Sequence, residues 1–165
     1  VRKPNAHDYV TVYPPAFGKE TQSRVDNDDI LDGAALIASA TQALHAAYMP
    51  AEALQSYWCD MDGSPWRGSE LTSLGVALAN QGGYPAHQYP GSFLGELGAA
   101  YVPMLMSLFH EMRQGRHHPI VPTLLSGHSA LQSVTGLSTR VASWVLTWNH
   151  TRKPFQPTSA TREIG

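Results

Sequence analysis

Three short stretches of the chain carry residue types that could do chemistry. Asp60-Met61-Asp62-Gly63-Ser64 sets two carboxylates one residue apart ahead of a glycine turn, a pairing that can divide nucleophilic and acid/base work. Ser126-Gly127-His128-Ser129 places an imidazole between hydroxyls, and Arg140 follows as a cation able to hold an oxyanion. That set suits phosphate or acyl transfer centred on His128, with Ser129 and Arg140 beside it. His110, Glu111, His117 and His118 gather nitrogen and oxygen donors around one predicted helix end, as a zinc-type metal site would need.

Each stretch partly matches a known pattern. Asp60 to Ser64 resembles the Asp-x-Asp-Gly-Thr/Ser motif of haloacid-dehalogenase-type phosphotransferases, which implies Asp60 as nucleophile and Asp62 as acid/base after a buried strand. The residues ahead, 53–57, instead read as helical, and no Asp after Asp62 is available to hold magnesium. Lys153 is the one residue placed to act as the later lysine. Two loop carboxylates before a turn is the preferred reading. Ser126-Gly127-His128 resembles the core of the type 2 phosphatidic acid phosphatase and vanadium haloperoxidase superfamily, implying His128 as phosphate nucleophile or vanadate ligand. Leu125 stands where that family has Pro, and its later His-x-x-x-Asp element is missing. Gly127 to Leu131 resembles the Gly-x-Ser-x-Gly nucleophile elbow around Ser129, with Leu131 replacing the second Gly. The zincin pattern opens at His110-Glu111 but meets Gln114 where its second His belongs. The plainer expectation makes Ser126 a helix cap and the histidines partners of a helix C-terminus. No catalytic, metal or cofactor site is therefore assigned.

The elements that would position these residues read as mainly α: five to six helices, long Pro/Gly-rich loops and one short N-terminal strand. Tyr9 to Tyr13 alternates with period two and stops at Pro14-Pro15, the pattern of a strand. A first helix is predicted from the Asp26–Asp32 cluster, with Ile30, Ala34, Ile37, Thr41, Leu44 and Tyr48 as its apolar stripe. The acidic cluster lacks the Gly and Glu of a calcium loop and reads as helix-start electrostatics. A second helix is predicted from Pro50 to about Cys59, then a loop to Gly68. A third runs from Ser69 to Gly82 through Leu71, Leu74 and Leu78. The longest runs from Ser92 to Gly115, kinked at Pro103, with Tyr101, Leu105 and Leu108 on its apolar face. Helices over Ser126–Val134 and Ser138–Asn149 complete the set, the last burying Leu137, Val141, Trp144, Val145 and Trp148. The expected division is an extended arm over residues 1–27, a helical domain over 28–149 and an extended tail over 150–165.

Composition narrows the function classes. The 165 residues fit one domain, and no run approaches the 18 or so apolar residues of a membrane span. No apolar leader follows Val1-Arg2-Lys3-Pro4, and Val1 itself reads as a processed end or as an internal start. One cysteine, Cys59, excludes an internal disulfide and leans towards a reducing compartment. Charged residues make up only 15% of the chain, which suggests surface covered by neighbours. Residues 1–112 hold five Lys/Arg against twelve Asp/Glu, and residues 113–165 hold six against one, so the two portions can pair head-to-tail. These features point to an assembly subunit meeting copies of itself or other shell proteins, most concretely a viral capsid component, in the cytoplasm or a virion. The alternative is a small hydrolase or phosphate-handling enzyme centred on His128 or on His110, His117 and His118. Arg140, Arg152 and Lys153, interleaved with Trp144 and Trp148, could also touch nucleic acid weakly.

Overall fold

The computed structural model describes residues 8–20, 32–61, 63–90, 100–114, 122–133 and 136–150. In chain order these form β1 (Asp8–Val12), β2 (Ala16–Lys19), α1 (Ala34–Ala46), a 3-10 turn (Ala51–Ala53), β3 (Ser56–Cys59), α2 (Pro65–Ala79), β4 (Ala86–Gln88), α3 (Tyr101–Gln114), β5 (Thr123–Ser133) and β6 (Gly136–His150). The strands make one mixed sheet in the order β1-β6-β5-β3-β4, with β2 also paired to β6. β3 runs parallel to β4 and β5, while β6 is antiparallel to β5, β1 and β2. The mainly α expectation of five to six helices is therefore corrected to a mixed α/β sheet with three α-helices among the described residues.

The reason lies in how the sheet is covered. Tyr57, Leu124 and Val145 point to the face occupied by α1 and α2, where Leu36, Leu44, Leu71, Leu74 and Leu78 are buried. Their chain neighbours Trp58, Leu125 and Leu146 point to the other face, against Tyr101, Leu105 and Phe109 of α3. A strand buried on both faces loses the alternation that marks a half-exposed one and reads as a continuous apolar run. Ser56–Cys59 is buried throughout, and the helix predicted there reduces to the 3-10 turn followed by β3. Over the described residues, the helices predicted at Ser126–Val134 and Ser138–Asn149 are likewise replaced by the antiparallel strands β5 and β6. Val141 and Val145 suit a helical spacing of four, but four is also twice two, and in β6 they share the α1 face.

The helices nearer the middle of the chain follow their patterns more closely. α2 buries Leu71, Leu74 and Leu78 as expected, but starts earlier, with Pro65 in its first turn after Ser64, so residues expected in a loop are helical. In α1 the buried face is Ala35, Leu36, Ser39, Ala40, Ala43 and Leu44, rotated from the expected stripe, and Tyr48 lies 93% exposed. Small residues bring α1 close to the sheet, which favours the alanine face. Pro103 stands in the first turn of the described part of α3, where a missing N–H costs little. The expected helix start at Asp26–Asp29 and the tail beyond residue 150 lie outside the described residues, while residues 8–19 of the expected N-terminal arm supply β1 and β2. Among the described residues no helix is long and apolar enough to cross a membrane.

α1 begins at Gly33, whose φ of 73° is left-handed. A Cβ there would also meet the α2 backbone at Glu70, 3.1 Å away. Gly33→Ala should therefore cost about 1–3 kcal/mol, read as a lower urea midpoint at unchanged slope, through left-handed strain and overpacking.

Candidate functional site

The parallel strands β3 and β5 end side by side, with Cys59 paired to Ser126. Open α/β sheets bind their ligands beyond the carboxyl ends of such strands. Here Asp60 is the first residue past β3, and Gly127 and His128 continue β5 past the last paired position.

Asp60 is buried and grips His128 twice. Its Oδ2 accepts the His128 backbone N–H at 2.7 Å and its Oδ1 lies 2.5 Å from Nδ1. The α2 helix closes the other side, because its early start brings Trp66, Arg67 and Glu70 to this strand end. Arg67 donates to the Asp60 carbonyl, and its Nη1 lies 3.7 Å from the Asp60 carboxylate. Glu70, fully buried, sets Oε2 3.4 Å from His128 Nε2. Trp66 meets the His128 ring edge-on at 5.7 Å and carries the Arg67 guanidinium 5.0 Å above its own ring. Two carboxylates and two basic side chains thus form one buried charge network. Among the described residues Glu70 Oε1 and Oε2 and His128 Nε2 make no hydrogen bond, and Glu70 meets His128 by charge alone.

The electrostatics follow from this packing. Burial disfavours a charged His128, but the hydrogen bond and charge of Asp60, with help from Glu70, outweigh it and lift the ring to about 9. Burial pushes Asp60 the other way, yet the hydrogen bonds and charge of His128, with Arg67, hold its carboxyl below the usual range. At neutral pH the pair is an imidazolium and a carboxylate. Cys59 is pushed up to about 12, chiefly by burial, which makes its thiol a poor nucleophile.

On the α3 side of the sheet Asp60 borders a cavity of about 560 Å³. That volume falls in the range of small-molecule sites. Its walls are apolar, from Tyr101, Val102, Met106 and Trp144, and its polar groups are Asp60, His128 and Arg140. Tyr101 donates to the Cys59 carbonyl at 2.6 Å and so pins α3 to the end of β3. Gly127 lets β5 pass close to α3, since a Cβ there would overlap Val102.

The sheet register sorts the residues singled out in the sequence. Arg140 faces the cavity, with Ala142 and Trp144 on the same side of β6. The His128 ring goes to the opposite face, towards α2, with both nitrogens turned to carboxylates. His128 thus borders the cavity, but its two ring nitrogens face carboxylates, and its part is to position Asp60. Ser129 is paired to Arg140 across β5 and β6. His110 and Glu111 are exposed on α3, and His117, His118, Arg152 and Lys153 lie outside the described residues, as does Asp62. Among the described residues no group of three His, Cys, Asp or Glu side chains is placed to hold a metal ion, Asp60, His128 and Glu70 included. Sequence reading missed Glu70, Arg67 and Trp66; the signal was the Ser64-Pro65 helix start, which puts Trp66 and Glu70 one turn apart on one face. No protein-family model matches the chain, and no curated protein matches it significantly.

Proposed function

We propose that this chain is a small hydrolase acting on phosphate or acyl esters, with Asp60 as the reacting carboxylate. The observation that supports it is Asp60 itself, buried between a charge network on one face of the sheet and an apolar cavity on the other. Each carboxylate oxygen keeps a second lone pair after binding His128. A carboxyl held below its usual pKa stays ionised, which suits attack on phosphorus or an acyl carbon better than proton abstraction near neutrality. Attack would expel the alkoxide, which takes a proton from water to leave as the alcohol. A second water would then hydrolyse the mixed anhydride, and the proton this releases neutralises the hydroxide formed in the first step. His128 and Arg67 hold the carboxylate in place, and Arg140 orients an anionic group. The test is turnover of p-nitrophenyl phosphate and p-nitrophenyl acyl esters by wild type and by Met106→Trp, which fills the cavity. Turnover by wild type and at least ten-fold less by the variant is expected; no turnover of any ester would sink the proposal.

A second reading, an assembly subunit, draws support from Val12 and Phe17, which lie exposed on β1 and β2 along the outer side of β6. Copies of the chain, or other shell proteins, would meet there. Light scattering decides it: a discrete assembly that dissociates in Phe17→Lys supports this reading, and a monomer of 17.9 kDa at all concentrations removes it.

A further inference from the structure

At the mouth of the cavity Arg140, which the hydrolase reading already uses, has a second cation beside it that this reading does not require, Lys19. β2 lies antiparallel on β6 with Phe17 opposite Ala142 and Lys19 opposite Arg140. Directly opposed residues share one face of a sheet, and Ala142 and Arg140 line the cavity, so Phe17 and Lys19 belong to the same face. Phe17 lines the cavity while remaining 69% exposed. Lys19 and Arg140 are both exposed, and among the described residues no carboxylate is seen paired with either. Two like charges set directly across a strand pair are unfavourable by themselves, and an anion between them reverses the sign. Behind them lie apolar walls from Val102, Met106 and Trp144.

We propose that Lys19 and Arg140 form the head-group site of an amphiphile whose phosphate sits at the mouth and whose apolar body enters the cavity. Two adjacent cations favour a doubly charged phosphate monoester over a singly charged carboxylate. The inference rests on the cavity of the hydrolase reading but not on any reaction there, so binding and turnover are separable.

The experiment is calorimetric titration of the whole chain with octyl phosphate, octanol and inorganic phosphate, each as free monomer, alongside sedimentation with phosphatidylglycerol vesicles. Octyl phosphate should bind at least ten-fold tighter than either octanol or inorganic phosphate. Lys19→Gln and Arg140→Gln should each weaken it roughly five- to ten-fold while leaving octanol unchanged. Equal binding of octyl phosphate and octanol would overturn the head-group site, as would wild-type affinity in both variants. Equal binding of inorganic phosphate would show that the cavity takes no part, and binding to vesicles alone would replace the site with a membrane surface. Binding of octyl phosphate without ester turnover would defeat the hydrolase reading and leave this inference standing.

Discussion

His128→Leu is expected to lower the stability of the fold by about 3–5 kcal/mol, or roughly 6–20 °C in Tm. The side chain is only 4% exposed and stands between Asp60 and the fully buried Glu70. Leucine fills a similar volume but leaves both carboxylates without their shared cation, and a buried charge deprived of its partner is the costly case. Arg67 still faces Asp60, so Glu70 suffers more. Adding Glu70→Gln to His128→Leu should therefore recover part of the loss instead of adding to it, a non-additivity that simple loss of packing would not produce. Urea denaturation at pH 6 of the wild type, both single variants and the double variant checks this directly.

The same network makes stability fall on the alkaline side. His128 binds its proton more tightly in the native state, at about 9, than in the unfolded chain, at about 6.5. Its contribution is complete below about pH 6.5, declines as pH rises to 9, and is gone above it, a difference on the order of 3 kcal/mol. Asp60 works in the opposite sense: its carboxyl is lowered on folding, so its contribution is present above about pH 4 and is lost as pH falls through the native value. Together they place the stability maximum between about pH 4 and 6.5. Thermal melts at pH 5, 6, 7, 8 and 9 should show Tm falling from pH 6.5 upward in the wild type, with the slope flattened in His128→Leu. A wild-type Tm that stays level or rises from pH 6.5 to 9 would contradict the ion pair.

How much of this was legible in the residues depended on burial. α2 and α3 pack one side only, so Leu71, Leu74 and Leu78, or Tyr101 and Leu105, keep a helical period that can be read. β1 keeps the alternating Tyr9–Tyr13 pattern. β3, β5 and β6 are covered on both faces, and runs such as Tyr57-Trp58-Cys59 or Val145-Leu146 carry no period that separates strand from helix. That ambiguity also hid the site. Reading residues 53–57 as helix removed the strand that brings Asp60 to its place, and reading residue 126 onward as helix removed the β5 partner that brings His128 to Asp60. Both residues stood out by type; their meeting across 68 positions depends on a parallel strand pairing that no local spacing encodes. Glu70 looked like an ordinary helix residue, because its burial follows from the tertiary position of α2.

Whether Asp60 reacts with substrate is tested most directly by the rate of ester hydrolysis by Asp60→Asn against wild type, at pH 6.5, with near-UV circular dichroism to show that both are folded. Asparagine keeps the shape and can still accept from the His128 backbone N–H, but it removes the attacking carboxylate. A kcat lower by at least about 10³-fold with KM little changed is expected, the signature of a group that acts on the reacting centre. A folded Asp60→Asn protein with wild-type kcat would show that Asp60 serves the charge network alone, and that the cavity beside it is not an active site.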